Sequence, residues 1–176
     1  MKIIHVVNPL PRLVSGALAD RLAVMPAVVV TGARQTGKST LAEQLVAGER
    51  SYRTLDDFDV LAAARRDPEA LVGGNAPITL DEVQQEPSLL SAVKRAIDRD
   101  RKAGRFLLTG SANLLLMRQV SESLAGRASY LTLWPLTRRE QRGLGSAGRW
   151  ERYSTRPMRA GARWRSGAVS PRQRSN

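Results

Sequence analysis

The chain has 176 residues, a formal charge of +12, no cysteine and a single histidine, His5. That length suffices for one domain with a real core, and the inventory excludes a disulfide framework, a cysteine-ligated metal and a histidine-rich metal centre. No apolar run reaches the length of a membrane span, and the N-terminus lacks the hydrophobic block and small-residue cleavage site of a signal peptide. A cytoplasmic protein without membrane association is therefore expected.

The charge is unevenly spread. Residues 138–176 hold eleven arginines against two acids, Glu140 and Glu151, a surplus of nine that leaves only three for the other 137 residues. The main domain is thus not strongly basic, and the overall charge says little about its partners.

In chain order, residues 1–11 are short and apolar with two prolines and read as a lead-in. Residues 12–24, RLVSGALADRLAV, carry Leu13, Ala17 or Leu18, and Leu22 at helical spacing, with Pro26 to stop the helix. Residues 27–31 form the first strand, apolar enough to be buried on both faces as in a parallel sheet. Residues 39–47 are a helix that Gly48 ends, and SYRT (51–54) is a short strand. Residues 57–66 are a helix closed by Pro68, and PEALVGG gives one more helical turn closed by Gly73 and Gly74. The strand APITLD (76–81), a helix over 87–100 with Leu89, Leu90, Val93 and Ile97 on one side, and the strand RFLLT (105–109) follow. A helix over 114–124, a strand over 128–133 and a last helix over 136–143 complete the order. Short apolar strands alternating with helices of about ten residues predict a three-layer α/β domain.

The stretch VVVTGARQTGKSTL (28–41) places Gly32, Gly37, Lys38 and Ser39 at the spacing G-x-x-x-x-G-K-[ST] of a phosphate-binding loop. Backbone N–H groups can curl around a phosphate only where the corners take unusual backbone angles, which the two glycines allow. The helix that follows adds unpaired N–H groups and the positive end of its dipole. Lys38 supplies charge for the β- and γ-phosphates and Ser39 a hydroxyl for Mg²⁺, while Ala33, Arg34, Gln35, Thr36 and Thr40 complete the cradle. Arg34 has no evident role beyond the loop and is expected to face solvent.

Ligands of open parallel sheets sit beyond the carboxyl ends of the strands, so those ends should converge on this loop. Asp81, closing the strand PITLD, can hold a water on the Mg²⁺ bound by Ser39. Glu82 points elsewhere and can polarise the water that attacks a γ-phosphate. In LLTGSAN (107–113), Thr109, Ser111 or Asn113 can orient that water or sense the phosphate, although helix capping explains Ser111 and Asn113 equally well. Arg127 in SLAGRA is suited to stabilising charge on a transferring phosphoryl group, in its own subunit or a neighbour, or it is a plain surface arginine. Gln84 and Gln85 are exposed polar candidates for contacts near a base.

The segments GARQTGKST, TLDD, ITLDEVQQEPSLL, RFLLTGSANLLL, SESLAGR and YLTLWPLTRRE together resemble prokaryotic AAA-type P-loop ATPases over about residues 9–143. The resemblance implies a mostly parallel five-stranded sheet in the order 5-1-4-3-2, with ATP and Mg²⁺ as ligands. It makes residues 32–39 the Walker A motif, Asp81 and Glu82 the Walker B pair and residues 109–113 the sensor 1 region, and it suggests an arginine-finger-like role for Arg127. Relatives usually continue into small helices and a C-terminal domain resembling restriction endonucleases. Here the match fades after Arg142, which predicts a truncated or frame-shifted member divided into a lead-in (1–11), an ATPase core (12–143) and an arginine-rich, disordered or aberrant tail (144–176).

Three functions fit this reading: an Mg²⁺-dependent ATPase acting on a protein partner or a second copy of itself, a noncatalytic nucleotide-binding or nucleic-acid-associated remnant in which the basic tail meets phosphate backbones, and a small-molecule kinase. Glu82 favours hydrolysis over transfer to an acceptor, and no acceptor pocket is discernible. No base-reading motif for guanine is present, and ATP is implied through the resemblance.

Overall fold

The computed structural model describes residues 9–46, 48–111 and 122–144. The expectations placed on Asn113, on most of the helix over 114–124, on residues 1–8 and on residues 145–176 lie outside the described residues.

Within them the chain runs α1 (Val14–Val24), β1 (Ala27–Gly32), α2 (Lys38–Thr40) passing into a π-helical turn (Leu41–Leu45), β2 (Ser51–Thr54), α3 (Phe58–Arg66) and α4 (Pro68–Leu71). It continues through β3 (Ile78–Asp81), a 3-10 turn (Val83–Gln85), α5 (Leu89–Arg99), β4 (Phe106–Ser111), β5 (Ala128–Thr132) and α6 (Arg138–Gln141). Local chemistry sets several boundaries. Asp57 caps α3 by accepting from the N–H groups of Asp59 and Val60. The last helix begins at Arg138 rather than at Leu136 because Thr137 and Glu140 form a reciprocal capping box.

All strand pairings among the described residues are parallel, and the sheet order is β2-β3-β4-β1-β5, the order expected. The fold is a three-layer α/β sandwich. Parallel strands joined by helical crossovers are covered on both faces, so their sequences read as continuous apolar runs rather than alternations. In β1, Ala27 and Val29 point into a core completed by Leu55, Ala64 and the apolar stripe of α5, while Val28 and Val30 point into a second core with Leu18 of α1 and Leu41. The four β1 side chains are fully or almost fully buried. At about 1.5–3 kcal/mol for each large side chain removed from water, this central strand anchors whatever follows it.

Register then brings the chemistry together. Gly32 lies beside Ser111, Val30 beside Thr109 and Leu80 beside Leu108, so the ends of β1, β3 and β4 line up along one edge of the sheet. The opposite end is closed by two arginines, Arg105 buried and Arg50 half-buried. Arg105 donates to the carbonyls of Ala96 and Gly74 at 3.1 and 2.6 Å and lies over the Phe106 ring, and Arg50 donates to those of Gly104 and Ile78 at 2.7 and 2.8 Å.

Candidate functional site

Leaving β1, the chain turns through residues 33–37 with positive φ at Gln35 (62°) and Gly37 (86°). Such alternation of backbone handedness aims successive N–H groups at a common centre. Side chains engage the loop's carbonyls: Thr36 Oγ1 donates to Ala33 O at 2.9 Å, Lys38 Nζ donates to Ala33 O at 3.0 Å and Gly32 O at 3.3 Å, and Arg12 Nη1 donates to Thr36 O at 2.7 Å. Lys38 is held against the loop with 5% of its surface exposed. Gly32 is required by space rather than by conformation, since a Cβ there would lie 2.4 Å from the carbonyl oxygen of Leu133.

Arg12 belongs to a buried clasp invisible in the sequence. Its Nε donates to Glu140 Oε1 at 3.1 Å and its Nη2 to Trp134 O at 2.7 Å. Glu140 also accepts from the N–H groups of Leu13 (2.8 Å) and Thr137 (2.7 Å). Burial pushes the Glu140 carboxyl up, but the Thr137 and Leu13 N–H groups and the Arg12 guanidinium outweigh it and hold the group at about 2. The phosphate loop is thus tied to residues before α1 and after β5. Sequence signals for this were thin: Arg12 read as a helix residue and Glu140 as one acid in an arginine run.

At the end of β3, Asp81 is 2% exposed and both of its oxygens have donors. Tyr52 Oη on β2 donates to Oδ2 at 2.7 Å, and Thr109 Oγ1 on β4 donates to Oδ1. Side chains two apart on a strand share a face, so Tyr52, Thr79 and Asp81 fall on one side of the β2–β3 pair. Burial first, then the hydrogen bond and charge of Asp81, raise the Tyr52 phenol well above its usual value, with the Ser39 hydroxyl acting the other way. Tyr52 therefore stands as a neutral donor to Asp81. Its position in a short strand 29 residues before Asp81 carried no sequence signal.

Glu82 adopts the left-handed conformation (φ 57°, ψ 43°), uncommon for a residue with a side chain and a local cost of about 1–2 kcal/mol. Its N–H meets Thr109 Oγ1 at 3.4 Å and its carboxylate accepts from the Gln84 side-chain amide. Gln84 Oε1 accepts from the Ser111 N–H at 3.3 Å, and the Gln85 amide donates to Asp56.

A cavity of about 660 Å³ lies over these strand ends, lined chiefly by Arg34, Lys38, Ser39, Glu82, Gln84 and Ser111. Most of the expected site residues are therefore brought together: the loop, Glu82 and Ser111 at the cavity, with Asp81 and Thr109 buried beside it. Arg34 is exposed at its wall. Gln84 and Gln85 line the same cavity next to the acids. A second, more apolar pocket of about 220 Å³ adjoins the other side of the loop, between Leu10, Thr36, Thr40, Pro135 and Leu136.

Arg127 is not at this cavity. Its carbonyl accepts from the N–H of Ala27, the first residue of β1, which puts it at the amino end of the sheet, roughly 17 Å of strand from the loop. There it forms a two-pronged ion pair with Asp98 of α5 at 2.6 and 3.1 Å.

The hard oxygen donors Ser39 and Asp81 suit Mg²⁺, and the donor-rich loop with Lys38 suits a polyphosphate. Among the described residues no group of three or more His, Cys, Asp or Glu side chains is placed to hold a metal ion.

Comparison with known proteins identifies relatives of this chain. The chain is 36% identical over 153 residues to the "Uncharacterized protein Rv2008c" of Mycobacterium tuberculosis (strain ATCC 25618 / H37Rv) and, to the same extent, to the "Uncharacterized protein Mb2031c" of Mycobacterium bovis (strain ATCC BAA-935 / AF2122/97). Each alignment covers 82% of this chain and 34% of the relative, so the chain spans about a third of the length of these curated proteins. The crystal structure of Saccharomyces cerevisiae RIF2 aligns over 92% of this chain and 66% of its own at 14% identity with a TM-score of 0.40. The model of the AAA domain family matches residues 25–141, the span from the lead into β1 through α6, and the chain belongs to that family.

Proposed function

We propose that this chain binds ATP with Mg²⁺ and hydrolyses it, and that the observation carrying this reading is the grouping of Lys38, Ser39, Glu82 and Ser111 around one cavity with Asp81 buried behind it. The loop N–H groups and Lys38 bind the phosphates. Ser39 and Asp81 would hold the metal, with Asp81 kept in place by Tyr52 and Thr109. A metal held there would supply charge neutralisation for the polyphosphate. Glu82, outside the strand and free of any cationic partner among its hydrogen bonds, accepts the proton of the attacking water. The apolar pocket beside Thr36 and Thr40 suits a purine base, which would span the loop with its phosphates in the larger cavity.

Phosphate release by the purified chain tests this directly. Lys38→Ala is expected to weaken ATP binding at least tenfold, whereas Glu82→Gln should keep binding and lose turnover by roughly 100-fold or more. Nucleotide binding by wild type without phosphate release would overturn the hydrolytic half of the proposal and leave a noncatalytic nucleotide-binding module. That second reading draws on one observation, the distance between the cavity and Arg127.

A further inference from the structure

Glu82 is a base on an unusual backbone. Its left-handed conformation turns the chain sharply at the end of β3, and its own N–H has only the long contact to Thr109. A carboxylate on such a corner has several rotamers open to it, and a water nucleophile is activated only if the carboxylate is within hydrogen-bond reach in the right direction. Something must select the rotamer.

We propose that Gln84 is the positioning residue for Glu82, an amide strut that fixes the base to the tip of β4. This inference rests on the hydrolytic reading above. The amide faces two partners of opposite demand: its NH₂ donates to the Glu82 carboxylate, and its carbonyl accepts from the Ser111 N–H at 3.3 Å. Only a side chain with a donor and an acceptor at one end satisfies both. A glutamate would serve Ser111 and repel Glu82, a lysine or arginine would serve Glu82 and leave Ser111 unpaired, and a hydrocarbon would serve neither. The strut has a firm base, because Gln84 stands in the 3-10 turn Val83–Gln85 whose Val83 is fully buried. It also leaves the base reactive. A cation in this place would form an ion pair with Glu82 and lower its basicity, whereas a neutral amide orients the carboxylate without neutralising it. Gln85, one residue on, holds Asp56 instead, so the two glutamines divide the acids on this side of the cavity between them.

A double-mutant cycle tests the assignment on the full chain. Gln84→Met keeps the volume and removes both hydrogen bonds, and Gln84→Glu keeps the acceptor alone. Both are expected to lower kcat by about 10–100-fold while the Kd for ATP stays within about threefold and the melting temperature is retained. In a Glu82→Gln background, Gln84→Met should have no further effect, because a strut without its base has nothing to position. An unchanged kcat, equal losses in both backgrounds, or a loss shared between kcat, Kd and melting temperature would each overturn the proposal. A readout independent of turnover separates it from the hydrolytic reading. The ¹⁵N resonance of the Gln84 side-chain amide, identified by its absence in Gln84→Met, should shift on Glu82→Gln and on Ser111→Pro, which removes the N–H. If wild type releases no phosphate but these shifts occur, hydrolysis fails and the strut stands. If the resonance is indifferent to both changes, the strut fails whatever the turnover.

Discussion

Gly32 and Gly37 occupy the two corners of the phosphate loop for different physical reasons. Gly37 needs its backbone angle, φ 86°, and Gly37→Ala is expected to cost about 1–2 kcal/mol through strain alone. Gly32 needs the absence of a side chain, because a Cβ would collide with the Leu133 carbonyl, a backbone atom that cannot step aside. Gly32→Ala should therefore displace the chain after β5, with larger losses of both melting temperature and nucleotide affinity than Gly37→Ala. Thermal denaturation and nucleotide titration of the two variants check the ranking, and equal losses would refute the distinction. Tyr52 offers a spectroscopic test. Its phenol, raised above its ordinary value of 10.0 by burial and by Asp81, should contribute no phenolate absorbance at about pH 10–11 in the folded chain. Subtracting the titration curve of Tyr52→Phe from that of wild type should leave a flat line there. At this scale the sequence was legible where a residue acts through its chain neighbours, as in the loop spacing and the adjacent acids Asp81 and Glu82. It was silent where the partner is distant, as for Tyr52, whose role exists only because β2 lies beside β3.

The elements most exposed to change are those that hold the loop from behind. The Arg12–Glu140 pair joins the start of α1 to α6 with side-chain exposures of 6% and 4%. Breaking such a pair strands a buried charge and typically costs about 3–5 kcal/mol, so Arg12→Met should be markedly unstable and Arg12→Met with Glu140→Leu much less so. Glu140 also makes the clasp sensitive to acid. Its carboxyl titrates at about 2 when folded against 4.5 when not, so the folded state binds fewer protons and its stabilisation is fully present above about pH 4.5. That contribution is lost as pH falls from about 4.5 towards 2. Urea denaturation of wild type and Glu140→Gln across this range should give a stability difference that narrows steadily with acid, and a constant difference would exclude the clasp as its source. The boundaries of α3 and α6 had readable causes in Asp57 and Thr137, but capping shows where a helix begins, not what its first turn grips.

For the molecule as a whole, the common direction of the parallel strands places the cavity at one end of the sheet and Arg127 at the other. Arg127 is paired with Asp98 at the amino end of the sheet, away from the cavity. Arg127→Ala is accordingly expected to leave the ATP affinity of dilute, monomeric chain within about twofold, as for a surface substitution; a large loss measured by titration would mean that it serves its own cavity. The dependence of loop geometry on Leu133, Trp134 and Glu140 sets a further expectation for shortened chains. Removal of residues 145–176 should preserve nucleotide affinity, whereas removal from residue 133 onward should abolish it. The sequence by itself determined the three-layer α/β class, the parallel sheet and a glycine-cornered loop after β1 with two acids at the end of β3. Apolar runs, glycine corners and strand-end carboxylates are short-range signals that neighbouring residues suffice to express. Only the tertiary structure decided that Tyr52 and Thr109 secure Asp81, that Gln84 joins Glu82 to Ser111, that Arg12 binds the loop to Glu140 and that Arg127 faces away. Each of those depends on which strands and ends become adjacent, and adjacency is set by burial of both sheet faces at once, a property of the whole chain rather than of any segment.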